Sequence, residues 1–219
     1  MNSTQAIWNW EQQPRVRLSG LAQNPEIQPL EPVSPLSEAG HIGLSPQRGL
    51  LYDNLRQHLC AFPANHTLVY GPRGCGKSSL CLSVLNQLAS EGLKIVQTDV
   101  SALLTHGAWL DSQRHAGHRF VLLLDDLGFE ETHSDTFRAL KSFLQGGGYS
   151  LPECFLLCAT ANRRHLLAET SNELQRQNDL HPDESAEELL AMADRFGLWI
   201  RLHRPDQEQY LQIVEHWLT

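Results

Sequence analysis

The stretch Gly71-Pro72-Arg73-Gly74-Cys75-Gly76-Lys77-Ser78 decides the fold of this 219-residue chain. Its glycines carry no Cβ atom, so that successive backbone N–H groups can turn inward around a polyphosphate. A helix predicted to begin at Lys77 directs its positive dipole end at the same anion. The Lys77 ammonium can reach the β and γ phosphates, and the Ser78 hydroxyl is placed to coordinate Mg²⁺. The sequence therefore predicts a phosphate-binding loop.

The segments on either side of the loop have the character that such a loop requires. Residues 66–70 read as a buried strand, and the apolar pattern of residues 79–85 reads as a helix. The expected nucleotide-binding residues of this region are Gly71, Pro72, Arg73, Gly74, Cys75, Gly76, Lys77, Ser78 and Ser79.

Length and charge limit the class of protein. A chain of 219 residues suffices for one α/β domain with a short appendage. With 17 basic and 25 acidic side chains the net charge is -8, and no run of Lys or Arg is long enough to follow a nucleic-acid backbone. Nucleic acid stays a possible partner that the charge does not support, through a small basic patch of Arg163, Arg164, Arg201 and Arg204.

Targeting signals and cysteines indicate the compartment. Nothing in the sequence resembles a signal peptide or a membrane-spanning stretch, so we expect a cytoplasmic protein that does not enter a membrane. The 5 cysteines include no Cys-x-x-Cys pair, which indicates neither a disulfide framework nor a zinc site.

Two regions of different character divide the chain. Residues 1–40 are rich in proline and read as an extended N-terminal arm, whereas residues 41–219 read as the nucleotide-binding core. Trp8 and Trp10 either anchor the arm on the domain or on a neighbouring subunit, or belong to a loose tail.

Strands and helices alternate through the core. Apolar strands are predicted at 66–70, 94–98, 120–124, 154–160 and 198–202, and helices at 46–61, 77–91, 102–112, 134–145 and 206–218. A polar, acidic connection covers residues 169–188. Continuous apolar strands that alternate with helices are typical of a parallel sheet covered on both faces, with its ligand at the carboxyl ends of the strands.

The strand at 120–124 ends in two carboxylates, Asp125 and Asp126. An acid delivered by an apolar strand to the ligand edge is expected beside Mg²⁺, which makes Asp125 the metal-side acid. Asp126 stands where many ATPases carry a glutamate that orients the attacking water, but it is one methylene shorter. Glu130 or Glu131 is the alternative base, unless both simply favour the start of the next helix.

The strand at 154–160 is followed closely by Asn162. An amide at this edge can bond both the γ phosphate and the attacking water, which gives Asn162 a sensing role. The alternative is an asparagine that only forms the turn.

Several stretches together resemble the AAA+ ATPases, and more closely an uncharacterised bacterial group of single-module AAA+ ATP-binding proteins. The resemblance runs from about residue 40 to the end and is carried by the phosphate loop and by residues 62–65, 125–130, 160–166, 181–184 and 194–199. It implies a P-loop NTPase fold with three α/β/α layers and a five-stranded parallel sheet, in strand order 5-1-4-3-2 counted along the core. It also implies that Ile42 and Gly43 lie against the adenine.

The same resemblance implies that Arg195 is an arginine finger that reaches the γ phosphate of a neighbouring subunit, and hence that the protein is a homo-oligomer. A guanidinium offers several donors to transition-state oxygens, which suits this role. The alternative is a local salt bridge to Asp194 or Glu188.

The chain departs from the family pattern at its end. AAA+ proteins usually follow the fifth strand with a small helical lid, but only one helix is predicted after residue 205, so we expect the lid to be largely absent. Weaker retention of nucleotide and less self-sufficient hydrolysis would follow.

The leading hypothesis is a Mg²⁺-dependent ATPase that binds ATP, hydrolyses it to ADP and phosphate, and remodels an unknown protein partner or assembly. The alternative is a nucleotide-gated binding module, akin to a helicase loader, in which occupancy and not turnover carries the signal; Asp126 and the missing lid favour it. A small-molecule kinase is a third hypothesis, weakened by the lack of an arginine-rich lid over an acceptor site.

Overall fold

The computed structural model describes residues 8–21, 24–31, 40–127, 140, 142–144, 151–162 and 195–218. The strands are β1 (Arg15–Leu21), β2 (Asn24–Pro29), β3 (Thr67–Gly71), β4 (Lys94–Thr98), β5 (Phe120–Leu127), β6 (Phe155–Asn162) and β7 (Leu198–Arg201). The helices are α1 (Ser45–Leu59), α2 (Lys77–Ala89), α3 (Val100–Thr105), α4 (Gly107–Ser112) and α5 (Gln207–Leu218), with a 3-10 turn at Gln113–His115.

The described strands form one sheet of 7 strands in the order β2-β1-β4-β5-β6-β3-β7. All neighbouring pairs are parallel except β1 and β2, which are antiparallel. The prediction of five strands is therefore wrong, because β1 and β2 are added to the sheet. The prediction of a wholly parallel sheet is also wrong, because β2 runs antiparallel to β1. The α/β class is confirmed. The five strands predicted from the core sequence lie side by side as β7-β3-β6-β5-β4. This places the phosphate-loop strand β3 between β6 and β7.

The additional strands come from the segment expected to be an arm. β1 pairs with β4, with Val16 opposite Val96, and the Thr98 hydroxyl donates to the Leu18 carbonyl at 3.0 Å. Just before β1, Trp10 is only 4% exposed, and its ring centroid lies 5.0 Å from that of Phe120. Proline did not prevent strand formation here, because β2 lies at the edge of the sheet and, among the described strands, pairs with β1 alone.

Apolar side chains cover both faces of the sheet. On one face, α1 and α2 pack against strands β3, β5 and β6 through a buried cluster that includes Leu51, Leu55, Leu80, Val84, Val69, Val121 and Leu156. On the other face, β1 and α4 pack against β5 and β6 through a second buried cluster, called the aromatic cluster here. It includes Trp10, Leu18, Trp109, Phe120, Leu122, Phe155 and Leu157. Burial on both faces explains why β5 and β6 read as continuous apolar runs.

The helix expected over residues 102–112 is divided into α3 and α4. His106 separates them with φ -104° and ψ 31°, outside the helical range, and is followed by Gly107. The His106 side chain is 2% exposed, and its Nε2 donates to the Gly20 carbonyl oxygen at 3.2 Å. The sequence did not predict this contact, because Gly20 lies in β1, a segment that was not expected to be a strand.

Several predicted features lie outside the described residues. They are Glu130 and Glu131, the arginines at 163 and 164, the connection over 169–188, Asp194, and most of the helix at 134–145. Leu140 and Phe143, which are described, are buried in the aromatic cluster. In the described part of the chain, no helix combines the length and apolarity needed to span a membrane.

Candidate functional site

The phosphate loop follows β3 and turns directly into α2, as the sequence predicts. Gly74 and Gly76 have φ values of 76° and 90°, the left-handed region that favours glycine, and Gly76 is the N-cap of α2. A Cβ atom built on Gly71 would lie 2.5 Å from the Leu202 carbonyl oxygen, so only glycine fits at the start of the loop. The loop is thereby packed tightly against the end of β7.

Lys77 is held at the centre of the site. It is 8% exposed, and its Nζ atom donates to the carbonyl oxygens of Gly71 at 3.1 Å and Pro72 at 2.9 Å. Its third hydrogen bond goes to Oδ1 of Asn162 at 3.0 Å. An ammonium has three donors, and these three acceptors fix its position between the loop and β6.

A β-bulge at the end of β5 directs both aspartates to the ligand edge. Leu124 pairs with Ala159 and Leu127 with Ala161, so β5 has one more residue than β6 in this interval. Asp126 has a φ of 57°, and both Asp125 and Asp126 are exposed. In a regular strand consecutive side chains point to opposite faces, and a bulge re-aims one of them. The bulge therefore allows adjacent carboxylates to serve one site.

Asp125 receives two hydroxyl hydrogen bonds. Ser78 Oγ donates to Asp125 Oδ1 at 2.6 Å, and Thr160 Oγ1 donates to the same oxygen at 2.7 Å. The backbone N–H of Asp126 donates in turn to Thr160 Oγ1 at 2.8 Å. Thr160, which is 1% exposed, thus links the two aspartates across the bulge.

Ser78 and Asp125 together suit a magnesium ion. Hydroxyl and carboxylate oxygens are the hard donors that Mg²⁺ prefers, and it is commonly bound through one or two carboxylates together with substrate phosphates. The two side chains meet at the mouth of the phosphate loop, within reach of solvent. The donor set present therefore fits the ion.

Asn162 connects the lysine to the second aspartate. Its Oδ1 accepts from Lys77, and its Nδ2 donates to Asp126 Oδ1 at 2.6 Å. Because one bond uses the amide oxygen as acceptor and the other uses the amide nitrogen as donor, the orientation of the amide is fixed. The asparagine does more than form a turn, since it lies within β6 and joins charges carried by α2 and β5.

The cysteines of this region are packed as thiols. Cys75 is 7% exposed, and burial raises the pKa of its thiol against the opposing charge of Lys77. Behind the loop, the Sγ atoms of Cys81 and Cys158 lie 3.9 Å apart, and their mutual hydrogen bond and their burial raise the pKa of Cys81. Cys75 therefore contributes its backbone and its volume to the loop, not a reactive thiolate.

Ile42 and Gly43 belong to a short segment beside the loop. His41 Nε2 lies 3.3 Å from the Ser79 hydroxyl, and a Cβ atom on Gly76 would be 3.7 Å from Cδ1 of Leu44. His41 thus contacts α2, and the Leu44 side chain lies beside the loop. Gly43, with φ 74°, faces the Gln209 side chain of α5.

Arg195 is the one predicted site residue that lies away from the others among those described. It is exposed and precedes β7, whose first residue pairs with Thr67 at the start of β3, whereas the loop begins at the opposite end of β3. At about 3.3 Å per residue, β3 separates these two edges by roughly 13 Å. Arg195 therefore lies at the far edge of the sheet from the phosphate loop of its own chain.

The predicted site does not include Thr160, the bulge or Gln209. A threonine two residues before Asn162 was visible, but its hydrogen bonds depend on the register of β5 against β6, which a single sequence does not reveal. Gln209 carries a readable signal, since Asp206 and Gln209 have the spacing of a capping box at the start of α5.

A family model described as protein of unknown function (DUF815) matches residues 11–219. The match therefore includes β1 and β2 as well as the residues of the site. No protein of curated function is similar enough in sequence to match the chain.

Several solved structures have a similar fold. A chain in the E. coli MS115-1 HORMA:CdnC:Trip13 complex has a TM-score of 0.50 and 13% identity, covering 81% of this chain and 66% of its own length. C. elegans PCH-2 has a TM-score of 0.48 and 16% identity, and the match covers 74% of this chain and 43% of its own length. The Thermotoga maritima RuvB Holliday junction branch migration motor has a TM-score of 0.45 and 17% identity, and the match covers 80% of this chain and 50% of its own length.

The likeness to the chain of the Trip13 complex, at a TM-score of 0.50, agrees in fold with the resemblance to AAA+ P-loop proteins. At such low identity the likeness concerns the fold alone. The chain spans between 43% and 66% of the length of the three solved chains.

Proposed function

The chain belongs to the DUF815 family, an AAA-like family described as proteins of unknown function, and we propose that it binds ATP with Mg²⁺ at the phosphate loop and hydrolyses it to ADP and phosphate. One observation carries the proposal. Two chains of hydrogen bonds, Ser78–Asp125–Thr160 and Lys77–Asn162–Asp126, meet at the carboxyl ends of β3, β5 and β6. A structural role alone does not explain why exposed aspartates are aligned beside a phosphate loop.

Each side chain has a chemical task in this proposal. The loop N–H groups and Lys77 bind the β and γ phosphates, for which the ammonium exchanges its carbonyl partners for phosphate oxygens. Ser78 and Asp125 would hold Mg²⁺, which neutralises charge on the phosphates. Asn162 donates to the γ phosphate and positions the attacking water. Asp126 accepts the proton that this water loses.

Arg195 completes the site from a neighbouring copy. Its exposure and its distance from its own loop support this role, because an arginine at the far edge of the sheet is presented outward. In related phosphoryl transfers, an arginine finger contributes about 10³ to 10⁵ in rate. We therefore propose a homo-oligomer in which hydrolysis depends on assembly and acts on a protein partner.

A second candidate is a nucleotide-gated module with little hydrolysis of its own. The short hydrogen bond from Asn162 to Asp126 favours it, because a carboxylate engaged with the amide is less available to water. The left-handed backbone of Asp126 further restricts where this short side chain can reach.

Phosphate release from Mg²⁺-ATP, measured over a range of protein concentrations, tests the proposal. We expect the rate per subunit to rise with concentration and to vanish in Lys77→Ala. ATP binding is measured in the same preparation. Binding without release would contradict hydrolysis and favour the nucleotide-gated module.

A further inference from the structure

Thr160 is the residue of β6 that lies opposite the bulge in β5. In this interval β5 has two residues, Asp125 and Asp126, where β6 has only Thr160. The extra residue of a bulge is left unpaired in the ladder of backbone hydrogen bonds. The Thr160 hydroxyl replaces the missing partner, because its Oγ1 accepts from the Asp126 N–H at 2.8 Å. One side chain thereby stabilises the bulge that brings both aspartates to the ligand edge.

The direction of the Thr160 hydroxyl proton is fixed by its two partners. A backbone N–H can only donate, and an ionised carboxylate can only accept. The hydroxyl therefore accepts from Asp126 and gives its own proton to Asp125 Oδ1, 2.7 Å away. Only a side chain that carries a donor and an acceptor on one short group can make both bonds, and valine, which has the same shape, can make neither.

The hydrogen bonds leave the two oxygens of Asp125 in different states. Oδ1 accepts from both Thr160 and Ser78, at 2.7 and 2.6 Å. Within the part of the chain that the structure describes, Oδ2 accepts no hydrogen bond, and the Asp125 side chain is exposed. Oδ2 is therefore the carboxylate oxygen that remains available at the mouth of the phosphate loop.

We infer that Thr160 is a positioning residue for the proposed magnesium site, an inference that rests on the proposed function. Its hydroxyl holds Asp125 so that Oδ2 is free for the ion, and it holds Asp126 in the left-handed backbone of the bulge, with φ 57°. Thr160 acts through these two aspartates, since both of its hydrogen bonds are to β5. Replacing a residue that orients a metal ligand typically lowers metal affinity or activity by about 10- to 100-fold.

Substitutions of Thr160 separate the hydroxyl from the volume of the side chain. Thr160→Val keeps the shape and removes both hydrogen bonds, Thr160→Ala removes them with a smaller side chain, and Thr160→Ser keeps the hydroxyl. Thr67→Val is the matched control, because Thr67 is also a buried strand threonine whose Oγ1 accepts once and donates once. Its partners are Asn54 Nδ2 at 3.0 Å and the Asn65 carbonyl at 3.2 Å, at the end of β3 that lies away from the phosphate loop.

Binding of Mn²⁺, used as the probe in place of Mg²⁺, measures the metal affinity of the protein–ADP complex. The electron paramagnetic resonance signal of free Mn²⁺ is followed with protein in excess over ADP. We expect Thr160→Val and Thr160→Ala to weaken Mn²⁺ affinity by about 10-fold or more, whereas Thr160→Ser and Thr67→Val should stay close to the wild type. Calorimetry in metal-free buffer should give the same ADP affinity for all variants, because Lys77 and the loop are intact.

The readouts distinguish a failure of this inference from a failure of the proposed function. Wild-type Mn²⁺ affinity in Thr160→Val and Thr160→Ala, with ADP still bound, would overturn the inference and leave the proposed function standing. An equal loss of Mn²⁺ affinity in Thr160→Ser or in Thr67→Val would also overturn it, because the loss would then not follow the Thr160 hydroxyl. Failure of the wild type to bind ADP with or without Mn²⁺ would contradict the proposed function and this inference with it.

Discussion

The amide nitrogen of Asn162 donates to a carboxylate oxygen of Asp126 at 2.6 Å, while the amide oxygen of the same residue accepts from Lys77. One side chain thus joins the cation of the phosphate loop to the acid expected to receive a proton. This contact depends on the bulge in β5, without which the two aspartates would point to opposite faces of the sheet.

Removal of either partner should separate hydrolysis from binding. We expect Asn162→Ala and Asp126→Asn each to lower phosphate release by about 10²-fold or more, because water is no longer positioned or deprotonated. ATP affinity, measured by calorimetry, should change far less, since Lys77 and the loop remain. Asp111→Asn, which removes a partly exposed acid on α4, is the control, and rates equal to that control would contradict the assignment.

Arg195 should act between copies of the chain. Arg195→Ala is expected to lower the hydrolysis rate by about 10³-fold, the lower end of the range for arginine fingers. A mixture of Arg195→Ala with Lys77→Ala should regain activity, because some sites then combine an intact loop with an intact neighbouring arginine. If Arg195 forms only a local salt bridge, the mixture will be no more active than its components. Arg114→Ala, another exposed arginine, controls for loss of charge.

The N-terminal segment should stabilise the domain. Trp10 is 4% exposed, contacts Phe120, and donates from Nε1 to Gln113 Oε1 at 3.0 Å. We expect Trp10→Ala to lower the free energy of unfolding by about 3–5 kcal/mol, as for other buried aromatic residues. Urea denaturation measures the change, with the half-buried Trp8→Ala as a milder comparison. An unaltered midpoint would mean that the segment is a loose arm after all.

The free energy of unfolding should fall in mild acid, because the folded chain buries two histidines in their neutral form, whereas the unfolded chain lets them bind protons. Burial lowers the pKa of His58 to about 4, against an ordinary value of 6.5, while its Nε2 donates to the carbonyls of Phe120 and Cys154. Burial also lowers the pKa of His66, whose Nδ1 accepts from the Leu157 N–H. The unfolded chain then binds more protons, so stability is complete above the unfolded pKa and declines as pH falls from about 6.5 toward 4.

For His58 alone this linkage amounts to about 3 kcal/mol at pH 4. Chemical denaturation at several pH values between 7 and 4 should therefore give a smaller acid-induced loss in His58→Gln, which keeps a side-chain donor but does not titrate. A pH dependence equal to that of the wild type would contradict the assignment to His58.

The sequence was sufficient for the parts of the fold that depend on local pattern. Strands β4 to β7, the phosphate loop and α2 follow from apolar runs and from glycine positions, and the structure places them close to where they were expected. β1 and β2 were missed because their residues do not form an apolar run. Val16 and Leu18 are buried, but the exposed Arg17 separates them, and β2 is largely exposed.

The site could be predicted as a set of residues but not as a geometry. Lys77, Ser78, Asp125 and Asn162 were identified from their position after strands, and they do meet at one edge of the sheet. Their exact partners depend on Thr160 and on the extra residue in β5, which arise from the register between two strands distant in sequence. The placement of Gln209 likewise depends on how α5 returns to the segment at 41–44.

Calorimetric titration with ATP in the presence of Mg²⁺, comparing the wild type with Lys77→Ala, tests the central claim most directly. Arg17→Ala, which removes one exposed positive charge from β1, is the matched control. We expect saturable binding of one ATP per chain in the wild type and the control, and no detectable binding in Lys77→Ala. Equal binding by Lys77→Ala and the wild type, or none by any of the three folded proteins, would contradict an ATP site at the phosphate loop.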